Sequence, residues 1–159
     1  MRAAVIYYPG RIDLDALKKL VQEITEKSGW EPTLYLPTDG ENHGRQQALS
    51  ALAQKASHIL VAGGDGTIRE VAVAIAEQGS DATLGLIPTG TGNVLARNLN
   101  LQLSNQKACV TQALQGNRHP IDLALARIIH ANGERSEHGF VVMAGLGLDA
   151  QIMEATDSK

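Results

Sequence analysis

Residues 57–71, Ser-His-Ile-Leu-Val-Ala-Gly-Gly-Asp-Gly-Thr-Ile-Arg-Glu-Val, constrain the fold more than any other stretch of the chain. Ile59, Leu60 and Val61 form a branched apolar run of strand length, and Ile68, Val71, Ala72, Ile75 and Ala76 share one face at helical spacing. Between the two patterns, Gly63, Gly64 and Gly66 surround a single carboxylate, Asp65. A strand therefore hands over to a helix through an acidic, glycine-rich turn. A helix N-terminus presents unpaired N–H groups and a partial positive charge, which is a natural seat for phosphate. Glycines let the backbone approach such a ligand closely. A carboxylate beside phosphate is repelled unless a metal ion or a hydroxyl lies between them, so Asp65 points to chemistry on a phosphate. The plainer reading is a tight strand-to-helix turn in which Asp65 caps its own helix.

The rest of the chain repeats the same alternation. Residues 3–8 read as a continuously apolar strand ended by Pro9-Gly10, and Asp13 can cap a helix in which Leu14, Leu17, Val21 and Ile24 share a face. Residues 30–36 suit a second strand closed by Pro37, a polar loop covers 38–42, and Ala48, Leu52 and Ala56 mark another helix. The strand at 59–61 and a helix at 67–78 follow, and then a strand at 83–87 that ends at Pro88. Residues 88–93 form a second glycine-bearing turn, 94–99 a short helix, and Ser104 caps a longer helix reaching Leu114. This order predicts an α/β fold of three layers, a parallel sheet with helices on both faces. From His119 the pattern changes: strands at 121–129 and 140–143 flank Asn132-Gly133, a tight-turn signal. A boundary near Asn117 is expected, with residues 1–117 forming the α/β domain and 118–159 the start of a β-rich second one.

Composition removes several classes of function. A net charge of −3 offers no basic field for nucleic acid. Cys109 is the only cysteine, so no intramolecular disulfide forms, and its place in a helix suits a small apolar residue. The five histidines show no metal-ligand spacing. The apolar start is too short for a signal peptide, and no apolar run approaches the roughly 20 residues that span a bilayer. A soluble cytoplasmic protein is expected.

Two motifs carry a family resemblance. Gly63-Gly64-Asp65-Gly66-Thr67-x-x-Glu70-Val71, followed by Pro88-x-Gly90-Thr91-Gly92-Asn93-x-x-Ala96-Arg97, resembles the diacylglycerol kinase catalytic-domain family, which includes bacterial lipid kinases and the sphingosine and ceramide kinases. The first motif alone is shared with NAD kinases; the pair is far more specific. The resemblance implies a nucleotide-binding domain of the NAD kinase/diacylglycerol kinase type. It also implies transfer of the γ-phosphoryl group of ATP, with Mg2+, to a lipid hydroxyl, at a membrane surface in the full-length protein. ATP contacts are implied at Thr38, at Gly63, Gly64, Asp65, Gly66, Thr67, Ile68, Arg69 and Glu70, and at Gly90, Thr91, Gly92 and Asn93. The chemistry agrees in kind. Backbone N–H groups and threonine hydroxyls donate to phosphate, Glu70 can accept from a ribose or adenine, and a parallel sheet binds ligands where its strand-end loops converge.

Phosphoryl-transfer chemistry is expected to converge on Asp65, since a carboxylate beside the phosphates can hold Mg2+, directly or through water, or orient the attacking hydroxyl. Arg97, one helical turn from Asn93, offers a phosphate contact or a surface ion pair. Tyr7-Tyr8-Pro9-Gly10 keeps the proline of the family's Asn-Pro-x-Ser-Gly-like first loop but not its Asn or Ser. The family's second domain, with its proposed general base and structural magnesium site, has no counterpart here, so a truncated and inactive form that pairs its hairpin with a second copy is expected. Gly145-Leu146-Gly147-Leu148-Asp149-Ala150 matches a dinucleotide pattern by coincidence, and Asp149 reads as a helix cap or a lining of the lipid cleft. The rival readings are an NAD kinase-like enzyme and a nucleotide-binding regulatory module without turnover.

Overall fold

The computed structural model describes residues 1–39 and 43–144. The expected helix start within 145–159 and the end of the polar loop at 40–42 lie outside them. Four strands, β1 (Arg2–Tyr7), β2 (Glu31–Pro37), β3 (His58–Gly63) and β4 (Thr83–Pro88), form one parallel sheet in the order β2-β1-β3-β4. Because both faces of the central strands are covered, their side chains are apolar without alternation. Ala4 and Ile6 of β1 and Ile59 and Val61 of β3 enter one core; Ala3, Val5, Leu60 and Ala62 enter the other. Ile6, Ile59 and Leu60 are fully buried, and each such side chain contributes about 1.5–3 kcal/mol by leaving water.

On one face lie α2 (Arg45–Ala53), α3 (Asp65–Glu77) and the short α4 (Val94–Asn98); on the other lie α1 (Leu14–Lys27) and α5 (Gln106–Gln115). Asp13 caps α1 as its position predicts, its Oδ1 accepting from the Ala16 amide at 3.0 Å. The cap of α5 is Asn105 rather than Ser104: its Oδ1 accepts from the Ala108 amide at 3.0 Å. Ser, Asn and Asp are near-equivalent caps, so adjacent candidates cannot be ranked by residue type. Gly85 matters for packing, because a Cβ there would stand 2.6 Å from Ala113 Cβ and push α5 off the sheet.

The antiparallel hairpin consists of β5 (Ala124–Ile129) and β6 (Arg135–Phe140). The second strand is thus not the apolar 140–143 run. The turn fixes the register: Gly133, at φ 82°, donates to the His130 carbonyl at 2.9 Å, and His130 donates to Glu134. Pairing then begins with the polar residues Arg135 to His138, and Arg127 faces Glu137 in an ion pair. The hairpin leans on α3 at Gly139, where a Cβ would meet Val73 at 2.5 Å. Leu125, Ile128 and Ile129 are exposed. Among the described residues no helix is long and apolar enough to cross a membrane.

Candidate functional site

From β1 the chain runs outward to β2, then returns past β1 to β3 and continues to β4. The loops after β1 and β3 therefore part company at neighbouring strand ends, and the divergence leaves a crevice at the carboxyl edge of the sheet. A cavity of about 330 Å³ occupies it. Gly63, Gly64 and Thr67 line it from the β3 turn, Thr89, Gly90 and Thr91 from the β4 turn, and Thr38 and Asp39 from the end of β2. Tyr8 and Arg11 from the loop after β1, and His43 ahead of α2, complete the wall.

Gly64 is the N-cap of α3 and gives it no side-chain cap. Asp65, Gly66 and Thr67 form the first turn, so their amides have no carbonyl one turn earlier to bond. No non-neighbouring atom lies within 4 Å of a Cβ placed on Gly66. The backbone is bare where the helix dipole favours an anion.

Asp65 does not cap its own helix. Its Oδ1 accepts from the Leu95 amide in α4 at 3.3 Å, and its Oδ2 would stand 3.0 Å from a Cβ on Gly92. The carboxylate is held by the second glycine turn. That turn is braced in its own right. Asn93, 6 % exposed and left-handed at φ 49°, accepts from the Gly90 amide at 3.0 Å and donates Nδ2 to the Gly90 carbonyl at 2.7 Å. Arg97 makes no ion pair among the described residues; its Nε donates to the Gly92 carbonyl at 2.8 Å. The two turns meet backbone to backbone, since a Cβ on Gly90 would fall 2.6 Å from the Gly64 Cα.

Of the residues singled out in the sequence, Thr38, Gly63, Gly64, Thr67, Gly90 and Thr91 line the cavity together. Thr38 is buried and donates its hydroxyl to the Tyr7 carbonyl at 3.3 Å. Asp65, Gly92 and Asn93 link and brace the two turns. Ile68 is fully buried in the core and its amide bonds Gly64, while Arg69 and Glu70 pair with each other at 2.9 Å away from the cavity wall. Sequence reasoning named Tyr8 only as part of the altered first loop, and gave no site role to Arg11, Asp39, His43 or Thr89. Their common signal is position, one to a few residues beyond a strand's carboxyl end or just before a helix.

A larger cavity, about 730 Å³, follows the free edge of β4 between α3 and α5. Its wall is mainly apolar, including Leu84, Leu86 and Leu95, and it holds none of the glycine turns.

The chain's sequence and fold resemble those of known proteins. The sequence model described as "Diacylglycerol kinase catalytic domain" matches residues 2–126. A diacylglycerol kinase from Staphylococcus epidermidis is 32% identical, the alignment covering 99% of this chain and 47% of that protein. A Pseudomonas fluorescens protein named "Probable lipid kinase YegS-like" is 31% identical over 98% of this chain and 47% of its own length. The crystal structure of a diacylglycerol kinase from Bacillus anthracis superposes with a TM-score of 0.66 at 21% identity, covering 96% of this chain and 52% of that one. The chain spans about half the length of the curated relatives it matches.

Proposed function

The chain belongs to the diacylglycerol kinase catalytic-domain family, and on that premise we propose that it is the ATP-binding part of a lipid kinase. The reaction is transfer of the γ-phosphoryl group of ATP to a lipid hydroxyl. The observation that carries the reading is the convergence of both glycine turns and Thr38 on one cavity at the switch point of the sheet. Phosphoryl transfer needs mainly positioning and charge stabilisation. The bare amides of Asp65, Gly66 and Thr67 stabilise phosphate charge, and the backbone contact between Gly64 and Gly90 sets the width of the seat.

Asp65 carries the chemistry in this reading. Among the described residues no group of three or more His, Cys, Asp or Glu could hold a metal ion. One carboxylate nevertheless suits Mg2+, which takes one or two carboxylates and completes its shell with water and substrate phosphates. Asp65 Oδ2 is the oxygen not engaged by Leu95, and it would hold the ion. Bound Mg2+ neutralises developing charge on the phosphates. The alternative role for Asp65, orienting the lipid hydroxyl, uses the same oxygen.

We assign residues 1–117 to nucleotide binding and those from 118 to a second, β-rich unit, since the hairpin forms a sheet of its own. A cytoplasmic location with contact at a membrane surface belongs to the same proposal. The test has two parts. ATP·Mg2+ titration should move the amide resonances of Thr38, Gly64 to Thr67 and Thr91; shifts confined elsewhere would sink the reading. In the form of the protein that turns over lipid, Asp65→Asn should keep the fold and most nucleotide affinity but lower transfer at least about a hundredfold. Activity within a few-fold of wild type would reduce Asp65 to the brace of α4.

A further inference from the structure

We propose that Arg11 is the cation that binds the polyphosphate end of the nucleotide, an inference that rests on the nucleotide reading above. Arg11 ends a short 3-10 turn, Pro9–Arg11, that follows β1 directly, so it stands across the crevice from the amino end of α3. Its side chain lines the same cavity as Gly63, Gly64, Thr67, Gly90 and Thr91.

Of the described arginines, Arg11 alone lines this cavity. Arg2, Arg45, Arg69 and Arg127 each pair with a glutamate, and Arg97 is bonded to a carbonyl. The Arg11 backbone amide bonds the Tyr8 carbonyl at 3.2 Å, and its side chain makes no hydrogen bond or ion pair among the described residues; Asp39 shares the cavity wall. A guanidinium offers five N–H donors in a planar fork and no acceptor, which matches a pair of phosphate oxygens. The helix amides on one wall and the fork on the other would bracket a row of phosphates. The amides reward any anion; the fork would add affinity for each further phosphate that extends toward it.

Adenosine, AMP, ADP and ATP, each with Mg2+, are titrated calorimetrically into wild type, Arg11→Gln and Arg11→Lys, with melting curves confirming that all three fold. Arg11→Gln should weaken ATP at least about tenfold, leave adenosine within about twofold, and flatten the salt dependence of ATP binding. Arg11→Lys should recover part of the loss. Equal losses for adenosine and ATP would overturn the assignment, since Arg11 would then act through the fold or the base. Unchanged ATP affinity would overturn it too, while absence of ATP binding by wild type would sink the nucleotide reading itself. Anionic headgroups share phosphate chemistry, so phosphatidylglycerol vesicles form a separate arm. Loss of vesicle binding with ATP affinity intact would assign the guanidinium to lipid and overturn the proposal.

Discussion

The two ends of β3 are built on opposite plans. At its amino end, side chains answer side chains. His58 is 5 % exposed, its ring tilted against Trp30 at 4.7 Å, with its Nδ1 3.2 Å from Ser57 Oγ. That hydroxyl also accepts from the Arg2 amide and donates to the Arg2 carbonyl, tying β3 to β1. At the carboxyl end the chain withholds side chains. Gly64 and Gly90 touch through bare backbone, Gly66 faces open space, and the amides of the first turn of α3 are left for something else. One end spends its polar groups on itself and gains order. The other keeps them unspent, and the family's chemistry is proposed there.

The difference can be broken most severely at Gly90. A methyl group there meets the Gly64 backbone, which has no rotamer to yield. Gly90→Ala should destabilise by about 2 kcal/mol or more, lower the melting midpoint by about 5 °C or more, and abolish measurable ATP binding. A melt matching wild type would mean that the two turns separate without cost.

Gly66→Ala sharpens the contrast, because stability and binding should move in opposite directions. The new Cβ meets nothing in the fold, and alanine in a helix is favoured over glycine by about 0.5–1 kcal/mol. The midpoint should rise slightly while ATP affinity falls, read by scanning and titration calorimetry on one sample. Affinity equal to wild type would place the ligand away from the turn.

The smallest effect lies at the amino end. Burial first, then the positive charges of Arg118 and the chain's amino group, hold the His58 pKa below its ordinary 6.5. The unfolded chain therefore takes up this proton before the folded one does. The contribution of His58 is fully present above about pH 6.5 and is lost as pH falls through the lowered folded value. Midpoints measured from about pH 8 to pH 5 should decline below 6.5, and His58→Gln should flatten that decline without altering ATP affinity. An unchanged profile would show that the His58–Trp30 contact does not govern stability in this window.

Much of this architecture was legible because burial on two faces writes long apolar runs. Residues 3–8 and 59–61 needed no partner to be recognised as strands, and Asp13 declared its cap within three residues. The two glycine turns were legible from composition. What they do to each other was not, because the Asp65–Leu95 bond crosses 30 positions and no local pattern encodes it. Asn93 failed to declare itself for a related reason: its left-handed backbone and its closed pair of bonds to Gly90 follow from the turn's geometry, not from a residue type that suits a ligand equally well. Ile68 lay within a motif and still points to the core. Arg11 sat outside both motifs, and only the parting of the β1 and β3 loops brings it to the cavity.

The bond between Asp65 and the Leu95 amide makes α4 a reporter of what happens at the carboxylate. A cation seated on Oδ2 would draw charge from the shared carboxylate and weaken its acceptance at Oδ1, so the Leu95 amide is where its arrival would be read. Leu95 also contributes its side chain to the large apolar cavity beside β4. One short helix thus borders both the carboxylate between the glycine turns and the large cavity.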